Sequence, residues 1–422
     1  MGTGPLVFLS TMLFQMRVAI IGQGYVGLTI TQGALMAGHQ VIGIDNSQVV
    51  ISSLKSGKSH IEGISNEVIA NGISSGALQV SQSYDQVSGA DVVVIAVPTP
   101  LDANGSADLS LLISAANSLG EVLKTPKLII NESTSYPGTL REVIKPLIDG
   151  GSNQSHLYAI SPERVDPGNK SYGVKNTPRV VGGLSDQARD AAVAFYKSFC
   201  DEVIPVSSAE VAEAAKLFEN TFRFINIGLV NEFAEIMSAM GIPADEVLKA
   251  AASKPYGFMP FHPNVGIGGH CIPVDPIYLQ ERGKKFGITS KYIALSEEIN
   301  HRMPKYVAKR LMDEYGDIKG KKVLVVGISY KADISDTRES PAKPFIERLK
   351  EFGAEVSWHD PLVPSWDGQS SSSVAGAYDL AVVLVAHSNL SMSGWKGGPI
   401  FTTNFNPKYP DWKPLISVQQ KS

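Results

Sequence analysis

A chain of 422 residues is longer than one hydrophobic core usually serves, so two or three domains are expected. Apolar residues make up 43% and charged residues 18%, which excludes a disordered chain, and no apolar run reaches the roughly 18 to 20 residues of a membrane crossing. A net charge of −4 without a concentrated Lys/Arg run argues against a nucleic-acid partner, and two distant cysteines, Cys200 and Cys271, point to a reducing, cytoplasmic setting.

Residues 1–15 are apolar but lack the basic start of a signal peptide, and they read as an extension ahead of Met16. Residues 16–206 follow as a first domain, in which 17–21, 40–45, 91–98 and 127–134 read as strands. Each is short, rich in Val and Ile, and bounded by Gly, Pro or Asp, with helical patterns between, which predicts a parallel sheet covered on both faces. From Ala209 the texture changes to a Pro-free run with apolar residues every three or four positions, a helix of about 30 residues ending near Gly241. A second helix follows over 242–253, with Pro243 near its start. This middle region is assigned to 207–305. The last domain, 306–422, repeats the alternation: strand 321–330, helix 340–353, strands 354–361 and 378–387. Beyond His387 the sequence is turn-rich and is given no element.

Gly22-Gln23-Gly24-Tyr25-Val26-Gly27 leaves the first strand and opens the first helix. Glycines at these positions let the backbone turn tightly against a pyrophosphate seated on the helix N-terminus. Asp45, about 20 residues on, suits the ribose hydroxyls of NAD and repels the extra phosphate of NADP. The later strand 321–330 carries Gly327 without a second glycine at the matching spacing, so it either binds a nucleotide differently or is only structural.

Cys271 lies in a glycine-dense loop, Gly266-Ile267-Gly268-Gly269-His270-Cys271, and reads either as an accessible nucleophile or as a small packed residue. Cys200 reads as packing. Lys216 and Asn220 stand one turn apart on the long helix, and Glu163 sits in a loop; each has a solvated-surface reading beside a catalytic one. The histidines show no metal-ligand spacing, so no metal is expected.

Taken together, GQGYVGL (22–28), VPTP (97–100), ESTSYPGT (132–139), SPERVDPG (161–168), the helix segment 213–232, GIGGHCIPVDPIYL (266–279) and GISYKADISDTRESP (327–341) resemble the UDP-glucose/GDP-mannose dehydrogenase family. The resemblance implies two Rossmann-like doubly wound domains joined by a long central helix and a helical dimerisation domain. It implies a four-electron oxidation of a sugar C6 hydroxyl by two NAD, with Cys271 carrying a thiohemiacetal and then a thioester. By the same match Lys216 and Asn220 hold the C6 oxygen, Asp275 and Thr134 handle an ordered water, and Glu163 is the hydrolytic base. Thr99, Thr134 and Arg338 join the glycine turn, Tyr25, Val26 and Asp45 on NAD. Glu163, Arg164, Lys216, Asn220, Lys254, Gly266, Gly268 and Lys331 meet the UDP-sugar.

Two departures narrow the substrate. Relatives commonly read Pro-Gly where this chain has Pro263-Asn264, and UDP-glucose dehydrogenases carry a second glutamate where this chain has Pro167. Together with 254–261 (KPYGFMPF), this looks more like the members acting on UDP-N-acetylhexosamines, UDP-N-acetylglucosamine among them. The alternatives are UDP-glucose or GDP-mannose oxidation, or a two-electron hydroxyacid dehydrogenase that would need no Cys271. Apolar residues on more than one face of the long helix imply a homodimer or higher homo-oligomer.

Overall fold

The computed structural model describes residues 15–166, 169 and 171–417, so all but the last residue of the expected N-terminal extension lies outside it. The chain divides into two compact units, Met1–Phe218 and Glu219–Ser422.

In the first unit β1 (Arg17–Ile21), α1 (Tyr25–Met36), β2 (Gln40–Ile44), α2 (Gln48–Lys55), α3 (Asn66–Ser75) and β3 (Leu78–Ser81) form one half of a doubly wound sheet. The other half is β4 (Val92–Ile95), α4 (Ser110–Val122), β5 (Leu128–Asn131), α5 (Lys145–Ser152) and β6 (Leu157–Ile160), extended by β7 (Arg179–Gly183), α6 (Asp186–Lys197) and β8 (Val203–Pro205). The strand order is β3-β2-β1-β4-β5-β6-β7-β8, parallel except where β6 meets β7, so the chain reverses its winding between β1 and β4. Successive strand residues feed opposite layers. Val18, Ile20, Val92 and Val94 pack with Phe195 and Tyr196 of α6, while Ala19, Ile21, Val93 and Ile95 pack with Leu112 and Leu119 of α4. Burial on both faces is why these strands read as unbroken apolar runs, and each large aliphatic side chain so placed contributes about 1.5–3 kcal/mol. The four strands read from sequence are present, the first with the bounds read and the other three with trimmed ends; β3 and β6–β8, three to five residues each, are added to them.

The long helix α7 spans Ala209–Ala239, as its spacing predicts, and the division between units falls inside it. The second unit continues with α8 (Ala244–Ala252), α9 (Asp275–Lys285), α10 (Lys291–Tyr315), β9 (Lys322–Val326), α11 (Ala342–Glu351), β10 (Glu355–His359), the hairpin β11 (Ser365–Trp366) and β12 (Gln369–Ser370), β13 (Leu380–Val383), β14 (Ile400–Thr402) and β15 (Lys413–Pro414). Its parallel sheet runs β10-β9-β13-β14-β15. The boundary drawn at 305/306 lies along α10, which continues through Pro304. Proline in a helix costs about 3 kcal/mol, but Met303, Val307 and Leu311 around it are fully buried, and that burial outweighs the loss. The stretch after His387 is not without elements, since β14 and β15 complete the sheet; at three and two residues they are too short for periodicity to show.

Candidate active site

The turn from β1 into α1 is shaped for an anion. Gly22 adopts φ +89°, and a Cβ there would stand 2.5 Å from the Ala96 carbonyl oxygen, so glycine alone lets the chain pass this close to the end of β4. Gly27 seats α1 on the turn, its missing Cβ overlapping the Gly22 carbonyl. Gly24, the N-cap of α1, faces open space; no side chain caps the helix and no acid occupies its first turn, where Tyr25 and Val26 lie. Such an end offers backbone donors and positive potential to a pyrophosphate. Asp45, one residue past β2, accepts the Gln23 amide at 2.8 Å on one carboxylate oxygen and the Ser47 amide at 2.8 Å on the other. It is half-buried, with lone pairs left for ribose hydroxyls. These residues fit NAD.

Thr99 and Thr134 follow the adjacent strands β4 and β5, at the sheet edge where doubly wound folds bind ligands. Ser133 Oγ donates to the Val97 carbonyl at 2.8 Å and ties the two loops together. Downstream, the buried Glu213 carboxylate accepts the amides of Gly138 (2.6 Å) and Leu140 (3.0 Å), which fixes the first turns of α7 and hence Lys216 beside this loop.

Glu163 follows β6 and is nearly buried. Its Oε1 accepts the amides of Arg164 (2.7 Å) and Val165 (2.8 Å), and its Oε2 accepts Arg179 Nη2 at 2.6 Å. Burial pushes the carboxyl pKa up, but the guanidinium and the two amides outweigh it and hold Glu163 below the usual carboxylate range. Arg164 turns its own guanidinium to the Pro178 carbonyl at 2.7 Å. Sequence reasoning passed over Arg179, Glu132 and Tyr196, which complete this cluster; the signal was a charge at the edge of an apolar strand, as in RVVGG.

In the second unit the thiol of Cys271 is exposed. Its carbonyl accepts the amides of Val274 (3.3 Å) and Asp275 (2.9 Å), so the cysteine begins the turn that enters α9. The glycine loop before it is held from three places, by two side chains and one backbone carbonyl. The Asn264 amide donates to Asn231 Oδ1 (2.8 Å), the Ile267 amide to Asn300 Oδ1 (2.6 Å) and the Gly269 amide to the Arg338 carbonyl (3.0 Å). Asn264, the departure from Pro-Gly, fits because its own Oδ1 takes the Val265 amide at 2.8 Å. A Cβ at Gly266 would stand 2.9 Å from Pro341, and at Gly268 2.7 Å from Tyr330, which precedes the half-buried Lys331. Arg338 is paired to Asp336 at 2.6 Å and feels the Cys271 sulfur electrostatically. Burial first, and Arg338 second, hold the neighbouring His270 below its ordinary pKa. Asn220 Nδ2 donates to Asp275 Oδ2 at 2.5 Å, both residues buried. Lys254 is exposed, its ammonium 5.0 Å over the Tyr256 ring.

The second sheet repeats the backbone of the first. The Gly327 amide donates to the His359 carbonyl (2.8 Å) as Gly22 does to Ile44 (2.7 Å), and Gly327 has φ +78°. Asp360 Oδ2 accepts the Ile328 amide at 2.8 Å, the counterpart of Asp45 and Gln23. Here the resemblance stops. Ser329 replaces the second glycine, and Asp360 is buried under His387, whose Nε2 lies 3.1 Å from Oδ2 while Nδ1 accepts the Asp333 amide at 2.9 Å. A nucleotide at this sheet must therefore bind otherwise than through an open strand-end acid.

Three profiles of one family match in succession: the NAD binding domain of the UDP-glucose/GDP-mannose dehydrogenase family over residues 16–200, its central domain over 210–302 and its UDP binding domain over 324–399. The chain belongs to the UDP-glucose/GDP-mannose dehydrogenase family. It is an NAD-dependent nucleotide-sugar dehydrogenase. The UDP-N-acetyl-D-glucosamine 6-dehydrogenase of Pseudomonas aeruginosa is 33% identical over 397 residues, covering 90% of this chain and 92% of that protein. The UDP-N-acetyl-D-mannosamine dehydrogenase of Pyrococcus horikoshii is 35% identical over 393 residues, with 90% and 92% covered. The solved UDP-N-acetyl-mannosamine dehydrogenase of Staphylococcus aureus superposes with a TM-score of 0.80 at 33% identity, covering 92% of this chain and 94% of that one. Among the described residues no helix is long and apolar enough to cross a membrane.

Proposed function

We propose that this family member oxidises the C6 hydroxyl of a UDP-N-acetylhexosamine to the carboxylate, with Cys271 as covalent nucleophile. The observation that carries the reading is the exposed Cys271 thiol at the entry to α9, with Arg338 beside it. Both the helix entry and the guanidinium favour the thiolate. Relatives named for UDP-N-acetylglucosamine and UDP-N-acetylmannosamine, each about one third identical over most of the chain, support the sugar class.

NAD, when bound, accepts a hydride from C6 in each of the two oxidations. In the first, the hydroxyl also loses its proton and an aldehyde remains, its oxygen held by Lys216 and Asn220. Asp275 already engages one N–H of the Asn220 amide, which fixes the direction of the other toward that oxygen. The Cys271 sulfur adds to the aldehyde carbon, the oxygen takes up a proton, and a thiohemiacetal forms. Loss of that proton with the second hydride leaves a thioester. Water, assigned to Asp275, Thr134 and Glu163, adds to the carbonyl; the carbon–sulfur bond breaks, releasing the acid and restoring the thiol. Because Arg179 keeps Glu163 ionised, Glu163 serves by accepting a hydrogen bond from this water, and the released proton passes on to solvent.

The reading extends to assembly: the apolar side chains left exposed along α7, Phe218, Phe222, Leu229 and Ile236, are assigned to a second copy of the chain. The test of function is stoichiometric. Given UDP-N-acetylglucosamine, UDP-N-acetylmannosamine, UDP-N-acetylgalactosamine, UDP-glucose and GDP-mannose in turn, the enzyme should form two NADH per N-acetylhexosamine consumed. One NADH per sugar, or turnover confined to the other two substrates, refutes the proposal.

A further inference from the structure

The first unit buries a charged cluster that its fold does not need. Arg179 opens β7 and donates through Nη1 to Glu132 Oε1 (2.5 Å) and Ser161 Oγ (3.2 Å), and through Nη2 to Glu163 Oε2 (2.6 Å). Tyr196 of α6 donates its hydroxyl to the same Glu132 oxygen, and its ring lies 4.6 Å from the guanidinium carbon. Glu132, Arg179 and Tyr196 are each at most 2% exposed, and Glu163 is 7% exposed. Desolvating such ions commonly cancels their attraction, and an apolar set of equal volume would hold β5, β6 and β7 together at least as well. What the cluster provides is direction. A guanidinium is a rigid planar fork; with one arm fixed by Glu132 and Ser161 and its face covered by Tyr196, the other arm meets Glu163 in one orientation.

We propose that Arg179 is the positioning residue for Glu163, with Glu132 and Tyr196 fixing the guanidinium in turn, so that Glu163 presents a single carboxylate geometry to the reacting centre. This rests on the assignment of Glu163 to the hydrolytic water. The charge balance agrees. Two acids share one arginine, and Glu132 Oε2 is buried with no hydrogen-bond partner, a poor place for half a negative charge. Burial pushes the Glu132 carboxyl up to about 8 despite Arg179, whereas Glu163 is held low, so at neutral pH Glu132 is protonated and Glu163 is not. The remaining titratable groups facing the guanidinium, Tyr196 and Cys200, are both pushed up by burial and stay neutral. Arg179 therefore has one anion to hold, and it is Glu163.

The experiment compares Arg179→Lys, Glu163→Gln and the double variant in full-length enzyme, reading kcat, KM for both substrates and the pH profile. Lysine keeps the charge but cannot hold two partners in a plane. We expect Arg179→Lys to lower kcat at least tenfold with KM for NAD within twofold, to raise the acid limb of kcat by about one pH unit, and to add nothing to Glu163→Gln. A slow Glu163→Gln beside an Arg179→Lys with wild-type kcat and pH profile overturns the positioning role. Wild-type turnover by Glu163→Gln instead removes the assignment of Glu163 itself. If Arg179→Lys does not fold, Glu132→Leu takes its place, since it removes the acceptor that fixes the guanidinium and leaves the neutral-pH charge unchanged. Slowing that requires Glu163 supports the proposal, and the same factor with and without Glu163 refutes it.

Discussion

Replacing Glu132 by Gln keeps the side chain's size and leaves an oxygen to accept from Arg179 and Tyr196, while removing the carboxyl that titrates. In the folded chain burial raises that carboxyl from 4.5 to about 8. Between these values the folded state holds a proton that the unfolded state has released, so the stability linked to Glu132 is fully present below about pH 4.5 and is lost as pH rises through 8. The rise from 4.5 to about 8 corresponds to a ceiling of roughly 5 kcal/mol, and relaxation around the charged form lowers it to about half. In a unit of about 200 residues each kcal/mol moves Tm by roughly 2–4 °C. Wild type should therefore lose on the order of 5–10 °C relative to Glu132→Gln between pH 5 and pH 9, because every other titration is common to both chains. Calorimetric melts in matched buffers read this directly. Two Tm curves that stay parallel across the range would show that Glu132 does not hold a proton in the fold, and the charge balance assigned to Arg179 would fall with it.

Cys271→Ser should retain NAD and UDP-sugar binding, measured by titration calorimetry, while net acid formation stops; turnover within about threefold of wild type would end the covalent route. Asp45 should make kcat/KM with NAD at least tenfold greater than with NADP, about 1.4 kcal/mol, and equal efficiencies would refute its contact with the ribose. Leu229→Glu combined with Ile236→Glu places two charges on side chains 60% and 51% exposed along α7, and sedimentation should show the expected dimer converted to monomer with loss of activity. A wild-type chain that sediments as an active monomer at micromolar concentration would refute the assembly.

The glycine turn, Asp45 and the long helix were legible because each follows from local rules: a positive φ, a strand-end acid, an unbroken 3.6-residue period. The loop of Cys271 was legible as a segment but not as an architecture. Nothing in its own residues says that Asn231, Asn300 and the Arg338 carbonyl will hold its amides, since these partners lie 33 or more residues away. Arg179 was missed for a related reason. Its neighbours in sequence are valines and glycines, and the carboxylates that make it tolerable arrive from β5 and β6 only when the sheet forms. The last strands escaped because two or three residues carry no period.

Asp45 and Asp360 occupy the same place in two copies of one backbone device, yet only the first is open to a ligand. At Asp360 an imidazole supplied by the chain itself fills the carboxylate's vacancy, a tethered ligand whose effective concentration no free ribose can match. Counting strand-end acids would give this protein two dinucleotide sites; following each carboxylate to its partner gives one. The distinction reaches beyond nucleotides: a repeated half-fold inherits the geometry of recognition at no further cost, and a single side chain is enough to turn that inherited site into core.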